Sequence, residues 1–124
     1  TLTLTHLPAE EVPLAAALGR VTAHSVAARV DAPPFDRSGV DGFAVRAADI
    51  AAASEAAPVT LRLNAEILAC GVAPTLALEP GTATPIATGG MIPRGADAVV
   101  MIEHTRPGDG LAVQVVRPVA PGQF

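Results

Sequence analysis

The sequence predicts a compact, β-rich domain of the mostly-β (α+β) class, with one short helix near its start. Eleven Gly and twelve Pro among 124 residues punctuate the chain too often for long helices, yet fall short of the range that marks low complexity. Apolar residues recur with a period near two over several short stretches, as strands buried on one face require. Half of the residues are hydrophobic and mean hydropathy is +0.43, enough apolar material for one core in a chain of single-domain length.

Taken in order, Glu10 to Gly19 reads as the helix: acids at the start, Pro13 in the opening turn, an Ala/Leu body and a Gly to close it. Thr22 to Val30 carries small and β-branched residues in partial alternation, and Asp31-Ala32-Pro33-Pro34 ends that run by removing ladder donors. Gly42 to Arg46 fits a short strand, while the Ala-rich stretch from Ala47 to Ala57 fits a helical turn or a surface loop equally well. Val59, Leu61 and Leu63 alternate with Thr60, Arg62 and Asn64 as a one-face-buried strand does, and Ala65 to Ala69 extends it. Gly71 to Pro80 is punctuated by Gly and Pro around Thr75 to Leu78. Thr82 to Ala87, Ala98 to Ile102 and Leu111 to Val116 complete the strands, the last after the turn Pro107-Gly108-Asp109-Gly110. Val12, Leu14, Leu61, Leu63, Val99 and Val100 are the expected core.

Several function classes are disfavoured. The net charge is −4, all eight cations are Arg, and no basic run exists, which argues against a nucleic-acid-tracking surface. Apolar runs such as Ala98 to Ile102 fall far short of the roughly 18 residues of a membrane span. The opening Thr1 to His6 lacks the pattern of a signal peptide, so a cytoplasmic location is expected. Cys70 stands alone, which excludes an internal disulfide and a cysteine-built zinc site, and its apolar neighbours make it a small core residue. His6, His24 and His104 lack the spacing of metal ligands, so no metal site is expected from them. Thr1 is no initiator and Pro121-Gly122-Gln123-Phe124 ends on a turn signal, so the chain is expected to be a piece of a longer one.

Two segments carry chemistry. Pro33 to Arg46 places two acids, two arginines and Ser38 in a loop stiffened by prolines on one side and loosened by glycines on the other. Such a loop presents Asp41 as a carboxylate near a metal, a proton or a polar ligand, although Asp-Gly is also a common turn. Ala87 to Val100 holds Thr88, the pair Gly89-Gly90 and Arg94: a hydroxyl, converging amides and a cationic fork suited to an oxyanion. A plain Gly-Gly turn between strands explains the same residues. Glu103, at a strand end, is a minor candidate.

Together these segments resemble the N-terminal region of the MoeA and gephyrin E-domain family, the molybdopterin molybdenumtransferases. Three blocks align in order: Ala17-Leu18-Gly19-Arg20-Val21, then Pro33 to Arg46, then Thr88 to Val100. Gly39-Val40 stands where the family has Ala-Met, and Phe43 replaces its Tyr, losing a phenolic hydroxyl. The resemblance implies a short helix-containing piece over about 1–30 and a β-rich domain of twisted and bifurcated sheets over about 31–124. It further implies an enzyme that inserts molybdate into adenylylated molybdopterin, releases AMP and is assisted by Mg2+, with the pterin-binding catalytic and C-terminal domains lying outside this sequence. A cytoplasmic homodimer is implied, with this region facing the partner's catalytic domain, and no nucleic-acid or membrane partner. Asp41 falls on a catalytic position, with Thr88, Ser38 and Gly89 as substrate-binding candidates. Arg37 and Arg94 are supporting charges by their chemistry alone. The alternatives are a non-catalytic assembly module of the gephyrin type and a small β-rich oxyanion-binding domain.

Overall fold

The structure is a computed structural model describing residues 7–124; His6 and the rest of the opening hexapeptide lie outside the described residues. The chain forms two compact units, one ending at Asp31 and the other spanning Ala32–Phe124.

In the first unit the expected helix over Glu10 to Gly19 does not form. Only a single 3-10 turn, Leu14–Ala16, is present, and none of its residues is buried. A ten-residue segment has too few turns to hold itself helical in water without an apolar face packed on something. Here Leu14 and Leu18 are more than nine-tenths exposed, so no such packing exists. Leu14 is therefore not core, and Val12 is only half-buried. Thr22 to Val30 likewise forms no strand and is exposed throughout.

The second unit is built on a six-stranded sheet. Its strands are β1 (Gly42–Val45), β2 (Val59–Leu63), β3 (Thr82–Ile86), β4 (Ala98–Met101), β5 (Thr105–Pro107) and β6 (Ala112–Val115), in the order β4-β1-β3-β2-β6-β5. All neighbours are antiparallel except β2 and β3. The Ala47 to Ala57 ambiguity resolves into a 3-10 turn, Ala47–Ile50, followed by loop. The Asp97 carboxylate accepts from the Ala47 amide at 2.7 Å and so caps that turn.

Regular pairing of β2 stops at Leu63, yet the chain keeps company with β3: Asn64 N donates to Ala83 O at 2.9 Å and Leu68 N to Pro85 O at 2.9 Å. Pro85 explains the gap. A strand residue points its N–H and C=O to the same side, so the donor that proline lacks is missing on the side facing Asn64 to Ile67. The β5–β6 hairpin, whose first strand was not expected, closes through Gly108 N donating to Ala112 O at 3.1 Å.

Successive residues of β1 and β4 face opposite sides of the sheet, and both sides are covered. Val45, Ala98 and Val100 join Leu61, Ala83, Val113, Val115 and Ile50 in the larger core. Ala44 and Val99 join Leu68 and Ile86 in a smaller one, flanked by Val40, Ile92, Ala96 and Phe124. Of the expected core, Leu61, Val99 and Val100 are buried, and Leu63 packs against the larger cluster. Cys70 is exposed rather than buried, because it lies past Leu68 where the chain turns away at Gly71.

Candidate functional site

The smaller core supports two loops that meet at one end of the sheet. Asp41 immediately precedes β1, and Thr88 follows β3 by two residues. The β1–β3 pair is antiparallel with Gly42 opposite Ile86, so the two loops emerge side by side. Asp36 to Ser38 then runs antiparallel to Gly89 to Ile92: Ile92 N donates to Asp36 O at 2.9 Å, Arg37 bridges Met91, Ser38 N donates to Gly90 O at 2.9 Å and Gly89 N to Ser38 O at 2.8 Å.

Across this seam Asp41 Oδ1 accepts twice from Thr88, from its amide at 2.7 Å and from its hydroxyl at 2.8 Å. Both residues are exposed. The amide bond first, and the hydroxyl bond after it, hold the Asp41 carboxyl below its ordinary range by stabilising the charged form. The Asp41 carbonyl accepts from Ile102 N at 3.0 Å, which ties the loop to the end of β4.

All four sequence-predicted site residues are thus brought together, but not with equal access. Thr88 and Asp41 face solvent, and Gly89 is half-buried at φ +83°, a conformation that favours glycine. Ser38 is buried, 1% exposed, with its hydroxyl turned onto Val40. The expected oxyanion cradle of converging amides is not formed. Thr88 N is bound to Asp41, Gly89 N to Ser38 O and Gly90 N to Ala87 O at 2.8 Å. What remains open is acceptor capacity: Asp41 Oδ2 and the lone pairs of Thr88 Oγ1. Such a pair suits a hard cation or a donor group rather than an anion.

Arg37, in the seam itself, and Arg94, beyond Met91 on the opposite segment, are both exposed. The ion pairs among the described residues lie elsewhere, Arg20 with Glu10 and Arg106 with Glu55, all at exposed positions where such pairs contribute little. No group of three His, Cys, Asp or Glu side chains that could hold a metal alone occurs among the described residues. A carboxylate that the sequence did not point to is Glu66. It accepts from Thr75 N at 2.6 Å, Thr75 Oγ1 at 2.8 Å and Leu76 N at 3.2 Å, closing the loop that carries Cys70 beside Gly90. No local pattern signals it, because its partners lie nine and ten residues away.

Comparison with known proteins agrees with this architecture. The family described as MoeA N-terminal region (domain I and II) matches residues 1–124. The chain is 42% identical over 93% of its length to a molybdopterin molybdenumtransferase of Nostoc, and 47% identical over 78% to that of Bacillus subtilis. It covers 26% and 22% of those relatives, so it spans about a quarter of their length. A crystal structure of the molybdopterin biosynthesis MoeA protein from Pyrococcus horikoshii superposes with TM-score 0.79 at 43% identity, over 92% of this chain and 29% of that one. Among the described residues no helix is long and apolar enough to cross a membrane. With the whole chain matched, the chain belongs to the MoeA family and corresponds to its N-terminal region.

Proposed function

We propose that this chain is the N-terminal part of a molybdopterin molybdenumtransferase, which inserts molybdate into adenylylated molybdopterin and releases AMP. The observation that carries the reading is the Asp41–Thr88 pair, an exposed, ionised carboxylate aimed by two donors and leaving one oxygen free. Asp41 is the catalytic group. A general base works best with a pKa near the operating pH, and a carboxyl held below its ordinary range is far from that. Asp41 therefore serves as a fixed negative charge rather than as a proton relay.

Its free oxygen and the Thr88 hydroxyl fit Mg2+, which prefers oxygen ligands and needs only one or two carboxylates when substrate phosphates complete its shell. Held by Asp41 and Thr88, such a cation would supply charge neutralisation for a doubly charged molybdate beside a phosphate-bearing pterin. Thr88 and Gly89 line the same edge as substrate contacts. Working as a homodimer in the cytoplasm is part of this reading, as the family resemblance implies.

The test uses the full-length protein with Asp41→Asn, following molybdate-dependent AMP release from adenylylated molybdopterin. Turnover is expected to fall by about a hundredfold or more with folding intact, the size of losing one positioned charged group. The divalent-cation concentration for half-maximal rate is expected to rise. Unchanged turnover overturns the reading and leaves Asp41 a turn residue.

A further inference from the structure

We infer that Ser38 is a positioning residue, whose buried hydroxyl fixes the Ser38–Val40 turn that carries Asp41 onto Thr88. The inference deepens the proposed function and rests on it only for its catalytic consequence.

At 1% exposure the Ser38 side chain cannot meet a substrate. Its hydroxyl is used in both directions: Oγ donates to Val40 O at 2.6 Å, and Val40 N donates to Oγ at 3.3 Å. The main chain on its N-terminal side is held to the Thr88 loop by the seam from Asp36 to Ser38. On the C-terminal side the next backbone hydrogen bond is at Asp41, whose carbonyl accepts from Ile102, while the Val40 side chain packs on the smaller core. Between these anchors lie Gly39 and Val40. Among the described residues their only hydrogen bonds are the two to the Ser38 hydroxyl.

Gly39 has the widest backbone freedom of any residue type, so the arm that places Asp41 begins at its loosest point. The hydroxyl removes that freedom by closing a local side-chain-to-backbone turn. Without it, the backbone between the two anchors keeps only the packing of the Val40 side chain, and the two-donor bond between the Asp41 carboxylate and Thr88 is populated less.

The experiment reads the Asp41–Thr88 bond directly, by hydrogen exchange at the Thr88 amide in this chain, in wild type, Ser38→Ala and Ser38→Cys. That amide donates to Asp41 Oδ1 in wild type, and Ser38→Ala is expected to speed its exchange by about tenfold or more. Ser38→Cys keeps the shape with a much weaker donor, and is expected to move the rate in the same direction, covering the case in which the alanine variant does not fold. A folded variant of either kind with the wild-type Thr88 exchange rate overturns the inference. In the full-length protein, Ser38→Ala is expected to lower kcat by about tenfold with little change in KM, and to add nothing to Asp41→Asn. Faster Thr88 amide exchange with unchanged turnover upholds the positioning role and overturns the catalytic reading of Asp41, so the two failures are told apart.

Discussion

Asp41, exposed, and Glu66, half-buried, are carboxylates whose charge is stabilised by bonds they accept, the first from Thr88 and the second chiefly from the Thr75 amide. Each carboxyl is lowered in the folded chain. Its contribution to stability is therefore present above the unfolded value, about 3.9 for Asp and 4.3 for Glu, and is lost as pH falls through the folded value. Wild type is expected to lose more thermal stability between pH 7 and pH 3 than Asp41→Asn or Glu66→Gln, as thermal melts at the two pH values measure. Glu66→Gln is also expected to speed hydrogen exchange at the Thr75 and Leu76 amides while leaving Thr88 protected. Asp41 and Thr88 stand out within separate blocks of the sequence, yet their bond joins residues 47 apart in the chain, which no spacing rule reaches. It exists because β1 and β3 pair with Gly42 opposite Ile86.

At the scale of elements, the close approach of β1 to β4 depends on Gly42. A Cβ there would lie 2.0 Å from the Val100 carbonyl oxygen, a backbone atom that cannot move without opening the strand pair. Gly42→Ala is expected to cost about 3 kcal/mol in chemical denaturation, at the upper end of ordinary overpacking. Leu68 is fully buried in the smaller core beneath the site loops. Leu68→Ala is expected to cost about 2–5 kcal/mol and to loosen the Asp41–Thr88 seam along with it. β1, β2, β3, β4 and β6 were legible, as short apolar or β-branched stretches bounded by turn residues. β5 was not legible, being three residues long with a proline at its end, and is held as a strand by β6 alone. The helix over Glu10 to Gly19 had the right local signals and failed for want of anything to pack against.

On the scale of the whole molecule, the apolar side chains of Leu14, Leu18, Val21 and Val26 are each at least 85% exposed, while Val45, Leu61, Val100 and Val115 in the sheet are buried. Leu14→Ser with Leu18→Ser is expected to change folding stability by no more than about 0.5 kcal/mol, as for other surface changes, and to reduce binding of a hydrophobic dye. The sequence by itself determined the β-rich class, five of the six strands nearly to their ends, the family, and the two blocks that hold the site. Those follow from local pattern: side-chain period, turn residues and motif order. Tertiary structure alone decided that the Gly89 and Gly90 amides are occupied, that Ser38 is buried beneath the site, and that Asp41 and Thr88 present acceptors rather than an anion cradle. Hydrogen-bond partners are assigned by strand register, and register is a property of the packed sheet that no single segment contains.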